Sequence, residues 1–197
     1  MLIGFTGAQC TGKSTLLSEC QRMCKQGELF QNYNFVEEVT RKIKRDGHEI
    51  NLDGCDITQL KILNEHLNNH TKTGDWVLDR CILDGYIYSS CLSRMGNVSE
   101  WVTRYACDLM MLLIEKLDII FYTQPEDVPL KSDGVRSVDI NFRQDIINRY
   151  EDLFAQDYYW MDKVIRLYGS VDDRMVQIEK TILKINENSN TRQFQNI

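Results

Sequence analysis

The chain has only two prolines, three histidines, no excess of positive charge, and no apolar run that approaches membrane-spanning length. Each shortage excludes something. Without about 20 consecutive apolar residues no membrane-spanning helix is expected. A formal net charge of −6 supplies no strong basic field for a nucleic-acid backbone. That argues against a polynucleotide partner, leaving only a local groove as a route to one. The seven cysteines, at 10, 20, 24, 55, 81, 91 and 107, are odd in number and contain no C-x-x-C pair. Reduced, mostly buried thiols follow from that pattern better than a zinc site. His66 and His70 stand four apart, a spacing that can bind metal, but a polar helix face is the expectation for them. There is no internal repeat and no linker, so a single domain over 1–187 with a polar, fraying tail over 188–197 is expected. The first apolar segment begins at residue 2, which leaves no room for a signal peptide and points to a cytoplasmic protein without membrane partners.

What is present suffices for one substantial core, with 43% hydrophobic residues in 197. Five short apolar segments, 2–6, 33–37, 75–79, 118–123 and 164–168, alternate with helical patterns over 13–26, 38–46, 57–71, 84–94, 100–116, 140–155 and 172–186. That alternation predicts an α/β fold, a parallel sheet with helices on both faces. Asp56 and Ser99 are placed to open the third and fifth helices, and Gly74 follows the third. Residues 124–139 carry both prolines and mixed charge, as a mobile connection after the fourth strand would.

The stretch Gly7-Ala8-Gln9-Cys10-Thr11-Gly12-Lys13-Ser14, followed by Thr15, fits G-x-x-x-x-G-K-[ST]. It lies between an apolar strand and a helical pattern, the context the motif requires. Glycines at both ends permit a loop whose N–H groups converge on phosphate oxygens at a helix start, where the dipole favours anions. Lys13 can then reach the β/γ-phosphates and Ser14 can ligate Mg²⁺. A nucleoside triphosphate, ATP with Mg²⁺, is the implied ligand. In this reading Lys13 makes no core contact, so its replacement should spare the fold. Cys10 places a thiol inside the loop.

Phosphoryl transfer needs little covalent chemistry from the protein and much positioning. In an open α/β sheet the positioning side chains gather at the carboxyl ends of the strands. Asp79 ends the third strand and suits a carboxylate near Mg²⁺ or a base for the acceptor hydroxyl. Glu37 and Glu38 end the second strand, and Glu38 and Arg41, at i,i+3, share one helix face pointing at the cleft. Glu38 can accept the acceptor's proton while Arg41 holds acceptor; the bland alternative is an exposed ion pair. Glu37 is read as structural. Ser132-Asp133-Gly134-Val135-Arg136, with Arg143 and Arg149 beyond, predicts a tight turn and a closing lid over about 125–145. Arg136 and Arg143 would then act as arginine fingers in cis, with Arg149 further along.

With those residues in place, the chain resembles small P-loop kinases of the nucleoside/nucleotide kinase type. The resemblance is strongest to the nicotinamide riboside kinase-like branch, the kinase domain of the bifunctional NAD-biosynthesis regulator. Four blocks carry it: the loop 7–14, Glu38-x-x-Arg41, Leu78-Asp79-Arg80 with Asp84-x-x-x-Tyr88, and Asp133-Gly134-x-Arg136 with Arg143. The resemblance implies the P-loop NTPase fold with strand order 2-3-1-4-5, an adenine site near 169–174 and an arginine-bearing lid. Asp79-Arg80 is also similar to the pair in thymidylate kinases whose arginine holds acceptor and phosphate, which makes Arg80 a substrate-binding candidate. A free-standing kinase without the bifunctional protein's nucleotidyltransferase domain is expected, and no substrate signature is recognisable over 57–71 and 84–117. The expected function is a kinase transferring the γ-phosphoryl of ATP to a small acceptor: nicotinamide riboside, a (deoxy)nucleoside or a nucleoside monophosphate. Alternatives are a kinase of a polynucleotide end or modified base in DNA, and a nucleotide-dependent regulatory ATPase switch. The sequence leaves an oligomer open.

Overall fold

The structure is a computed structural model that describes residues 1–125 and 139–194, with side chains through residue 186. Five runs rich in β-branched and aromatic residues form strands: β1 (Leu2–Thr6), β2 (Asn34–Val36), β3 (Trp76–Asp79), β4 (Ile119–Thr123) and β5 (Val164–Leu167). All neighbouring pairs are parallel, and the order is β2-β3-β1-β4-β5. Every residue of β1 and β4 is buried, as strands covered on both faces must be. The expected order 2-3-1-4-5 is the observed one.

Successive side chains of a strand point to opposite faces, and this divides the core in two. Ile3, Phe5, Val77, Ile119, Phe121 and Leu167 point to one face, where Leu16, Leu17 and Cys20 of α1 (Lys13–Gln26) and Ile178 and Ile182 of α7 (Val171–Phe194) cover them. Leu2, Leu78, Ile120 and Tyr122 point to the other. There α4 (Ile82–Arg94), α5 (Glu100–Leu113) and α6 (Ile140–Phe154) bury Ile87, Leu92, Val102, Met110, Ile146 and Tyr150. Outside them, α2 (Val39–Arg45) and α3 (Asp56–His70) flank the β2 edge with their own small cluster of Val39, Ile43, Ile50 and Ile62. No helix among the described residues is long and apolar enough to cross a membrane.

Most boundaries fall within a residue or two of the expected ones, and the departures have local causes. The expected helix over 100–116 splits into α5 and a tighter 3₁₀ turn at Ile114–Lys116. Asp56 does not cap α3, since Cys55 holds that position. Instead the Asp56 carboxylate accepts from the backbone N–H and the hydroxyl of Ser99, fastening the start of α5 to α3. The last helix continues to Phe194, well past the expected start of the tail. Residues after 170 contain neither glycine nor proline, so nothing interrupts it.

All seven cysteines are thiols. Burial pushes those of Cys20, Cys81 and Cys91 up to about 12, which leaves them neutral and inert.

Candidate active site

The phosphate loop leaves β1 at Thr6 and enters α1 at Lys13. Gly7 has φ +137°, and a Cβ there would stand 2.6 Å from Thr123 Oγ1 and 3.0 Å from its carbonyl oxygen. The loop therefore lies against the end of β4 so closely that only glycine fits. Gly12, at φ 85° as the N-cap of α1, supplies the second left-handed turn. Thr11 and Thr123 share a hydroxyl–hydroxyl bond of 2.6 Å, and Thr123 Oγ1 also donates to Thr6 O at 3.1 Å. Ala8 and Gln9 are wholly buried, Cys10 nearly so and in the left-handed region at φ 57°, while Thr15 is exposed on the first turn of α1.

Lys13 departs from expectation. Its side chain is 1% exposed, and Nζ donates to the carbonyls of Gly7 at 2.8 Å and Ala8 at 2.6 Å and to Thr11 Oγ1 at 3.2 Å. Far from standing clear of the core, the ammonium braces the loop from inside. Gln9 turns its Oε1 to the Tyr88 hydroxyl, which donates at 2.9 Å; its Nε2 has no partner among the described residues.

Across from the loop, Glu38 is the N-cap residue of α2 and 3% exposed. Three donors converge on its carboxylate: Arg80 Nε at 2.8 Å and Thr40 Oγ1 at 2.9 Å on Oε1, and Arg41 Nε at 3.0 Å on Oε2. The i,i+3 pair with Arg41 forms, but as a surface guanidinium (40% exposed) reaching a buried carboxylate (2%) and not as the exposed pair of the bland alternative. Glu37 is 81% exposed, with Arg45 Nη2 4.0 Å from its Oε2, and it borders the same hollow as Glu38.

Arg80 is the pivot of this cluster. It sits at φ 75°, an uncommon backbone state for an arginine, directly after β3. Strain of this kind is retained where the surroundings over-determine it, characteristically at working sites. Its Nη1 donates to Asp84 Oδ1 at 2.6 Å, and its guanidinium lies 5.2 Å from the centre of the Tyr88 ring. Burial opposes its charge, yet Tyr88, Glu38 and Asp84 outweigh that and hold its pKa well above the ordinary value. Asp84 in turn accepts from Thr6 Oγ1 at 2.7 Å and from the Cys81 backbone N–H at 3.2 Å, and Thr6 Oγ1 meets the Tyr150 hydroxyl at 2.8 Å. A continuous polar chain thus runs from α2 through Arg80 and Asp84 beneath the loop to α6. Sequence reasoning placed Asp84 and Tyr88 in a motif without giving them a task, and it missed Thr6 and Tyr150. The one available signal was the threonine directly before the loop.

Two hollows meet at the Glu38–Arg80 pair. The larger, about 290 Å³, is open and lined by Ser14, Leu17, Ser18, Gln21, Val36, Glu37, Glu38, Arg41 and Asp79. Ser14 and Asp79, the expected metal residues, therefore face one space, with Glu38 and Arg41 on its other wall. A hydroxyl and a carboxylate, completed by water and phosphate oxygens, are the hard oxygen donors that suit Mg²⁺. The smaller hollow, about 20 Å³, lies behind the pair between Thr40, Asn51, Gln59, Ile62, His66, Arg80, Asp84 and Tyr88.

His66 and His70 are 1% and 2% exposed, which overturns the polar helix face expected for them. Among the described residues no group of three or more His, Cys, Asp and Glu is placed to hold a metal. His70 is neutral and fully engaged: Nδ1 donates to His66 O at 2.8 Å and Nε2 accepts from the Ile82 N–H at 3.2 Å. Burial holds it down at about 4, and burial with nearby His70 and Arg80 holds His66 well below its ordinary range. His66 Nδ1 has no partner among the described residues.

Of the two lid arginines, Arg136 lies outside the described residues, as does most of the expected lid. Arg143 stands in the first turn of α6 and not on a loop. It nevertheless reaches the phosphate loop, with Nε donating to Gln9 O at 3.2 Å and Nη2 to Pro125 O at 3.1 Å. Arg149 does not join it; its guanidinium donates to Ser90 Oγ, away from the loop.

A parallel sheet in this order, with the glycine-bounded loop between its central strand and first helix, defines a P-loop NTPase fold of kinase-like topology. More particularly, the chain belongs to the AAA domain family, which matches residues 2–174. No curated protein matches it. Among solved structures it is similar to a deoxyadenosine kinase from M. mycoides with the products dCMP and a flexible dCDP bound. There the TM-score is 0.66 at 17% identity, over 94% of this chain and 100% of that one. It is also similar to the NadR protein in complex with NR, with TM-score 0.62 and 16% identity over 86% of this chain and 46% of that one. NadR with NAD and AMP-PNP gives 0.65 and 14% over 92% and 49%, so the chain spans about half of NadR. At these identities the likeness is one of fold, and at that level the expected resemblance to nucleoside-type kinases and NadR is borne out.

Proposed function

We propose that this chain is an ATP- and Mg²⁺-dependent kinase of a small nucleoside- or nucleotide-type acceptor. One observation carries the reading: the Glu38 carboxylate, gripped by Arg80 and Arg41, shares a pocket with Ser14 and Asp79 beside the phosphate loop. A pure nucleotide switch needs the loop and the metal ligands. It has no use for a buried carboxylate flanked by two guanidinium groups on the opposite wall. The similar structures, one with dCMP bound and another with NR, support an acceptor of that size.

In this reading the loop amides hold the β- and γ-phosphates, Lys13 joins them by moving its ammonium off the Gly7 and Ala8 carbonyls, and Ser14 and Asp79 would hold the metal, which would neutralise phosphate charge. Arg41 and Arg80 bind the acceptor, and its hydroxyl approaches the γ-phosphorus. The acceptor O–P bond forms as the bond to the β-phosphate oxygen breaks, the hydroxyl proton passes to the Glu38 or Asp79 carboxylate, and ADP leaves. Arg143, already on the Gln9 carbonyl, and Arg136 cover the transferring group. The inner hollow behind Arg80 is about the size of one water. A nucleoside base can enter it only if α2 and α3 give way, which makes acceptor binding a closing or repacking step.

The test is a screen of nucleosides, nucleoside monophosphates, nicotinamide riboside and DNA ends, read as ADP release above the acceptor-free rate. Stimulation by a small acceptor supports the reading. Label from γ-labelled ATP entering only DNA would redirect it to a polynucleotide kinase, and undiminished hydrolysis without any acceptor would redirect it to an ATPase.

A further inference from the structure

Arg174 is among the largest fully buried side chains in the molecule, 1% exposed, and no step above uses it. Its guanidinium donates to three backbone carbonyls that belong to three separate segments. Nη1 reaches Thr11 O in the phosphate loop at 2.8 Å, Nη2 reaches Gln124 O directly after β4 at 3.0 Å, and Nε reaches Gly169 O between β5 and α7 at 3.0 Å. These segments leave the carboxyl ends of β1, β4 and β5, the edge of the sheet on which ligands of open α/β folds bind.

The placement is costly for a residue that only fills space. Arg174 lies in the first turn of α7, where the helix dipole disfavours a cation. A buried guanidinium is retained only when its donors are well satisfied. A lysine could not replace it. Its single ammonium cannot span three carbonyls set around a plane, whereas the guanidinium fork presents donors in three directions at fixed angles. The segment on the far side is fixed independently, because the Ser170 N–H and hydroxyl both donate to Asp173 Oδ2 and the Asp173 N–H donates to Ser170 Oγ. Arg174 thus ties a pre-formed turn to the outer part of the phosphate loop.

We propose that Arg174 is a positioning residue for the nucleotide. It locks the phosphate loop, the end of β4 and the turn before α7 into one cradle, so that triphosphate affinity depends on a side chain that does not touch the ligand. The inference rests on the nucleotide-binding half of the proposed function and is independent of the acceptor.

The experiment is calorimetric binding of a non-hydrolysable ATP analogue with Mg²⁺, without acceptor, to the wild type, R174K and R174M at a temperature where circular dichroism shows each folded. Loss of a bond from a charged donor predicts affinity weakened about tenfold or more in both variants, with no rescue by the lysine. Wild-type affinity in R174K would overturn the proposal, because charge alone would then suffice. Failure of the wild type to bind the analogue would instead overturn the nucleotide-binding reading. Should R174M not fold, hydrogen exchange on the wild type decides in its place. Amides of 7–14, 124 and 168–170 should gain protection together on adding the analogue, and protection confined to 7–14 would sink the clamp.

Discussion

Glu38→Gln separates chemistry from architecture at the centre of the candidate site. The substitution keeps the volume and one acceptor oxygen and removes the charge. That oxygen can retain Arg80 Nε and Thr40, which meet Oε1 at 2.8 and 2.9 Å, but the new amide nitrogen would face Arg41 Nε, donor against donor. Arg80, although buried, is not stranded, because Asp84 still accepts from it at 2.6 Å. The stability cost should therefore be about 1–2 kcal/mol, the weakening of charge-assisted bonds, rather than the roughly 3–5 kcal/mol of stripping a buried charge of its partner. For a chain of this size that lowers Tm by about 2–8 °C. Loss of a general base should by contrast lower turnover about 10²–10⁴-fold while the protein remains folded. Calorimetry with an ATP analogue should show nucleotide affinity unchanged. The assay is steady-state ADP release with the best acceptor from the screen, run beside a thermal melt and an Asp79→Asn control. Near wild-type turnover in Glu38→Gln would refute the role of Glu38. If Asp79→Asn alone caused the loss, the proton would belong to Asp79.

Lys13→Ala should abolish transfer and also lower Tm modestly, since the bonds from Nζ to the Gly7 and Ala8 carbonyls disappear; ADP release and circular dichroism check both, and normal turnover would remove the claim. Arg143→Ala should lower kcat far more than nucleotide affinity, up to about 10³-fold if it stabilises the transition state, and a defect in affinity alone would count against that role. Stability should fall with acidification: His70 is held at about 4 in the fold against 6.5 for an exposed histidine, so below 6.5 the unfolded chain binds the extra proton and the fold does not. The contribution is intact above pH 6.5 and is lost as the pH falls towards 4; by linkage the loss has reached about 2 kcal/mol at pH 5. Urea unfolding of the wild type and His70→Asn at pH 7 and 5 should show a shallower pH dependence in the variant, and equal slopes would contradict the burial argument.

What the sequence made legible, and what it hid, follows from the range of the interactions. The phosphate loop is local: strand, glycines, lysine and helix start lie within residues 2–26, and each was readable from residue type and spacing. β1 and β4 were readable for the same reason, because burial on both faces leaves a continuous apolar run. Glu38 and Arg41, three apart, were correctly set together, but the partner that holds Glu38 is Arg80, 42 residues away. Its selection depends on β2 lying beside β3, a fact of sheet order and not of local pattern. Asp84 and Thr6 are separated by 78 residues and meet only because β1 and α4 converge beneath the loop. Lys13 and the two histidines misled for a related reason. A lysine and a pair of histidines read as polar, and only the packed structure reveals carbonyls for Nζ or the burial that keeps the imidazoles neutral. The parts of the site that would bind triphosphate were therefore legible as a unit, whereas Glu38, Arg41 and Arg80 were each named as acceptor residues but not joined into the cluster they form. The first are written into one contiguous stretch, while the second are assembled from α2, α3, β3 and α4 by the fold. Arg174 extends the point: it sits in the last helix and touches the first loop through 163 residues of separation. Even the local motif thus takes its final shape from a residue that no motif contains.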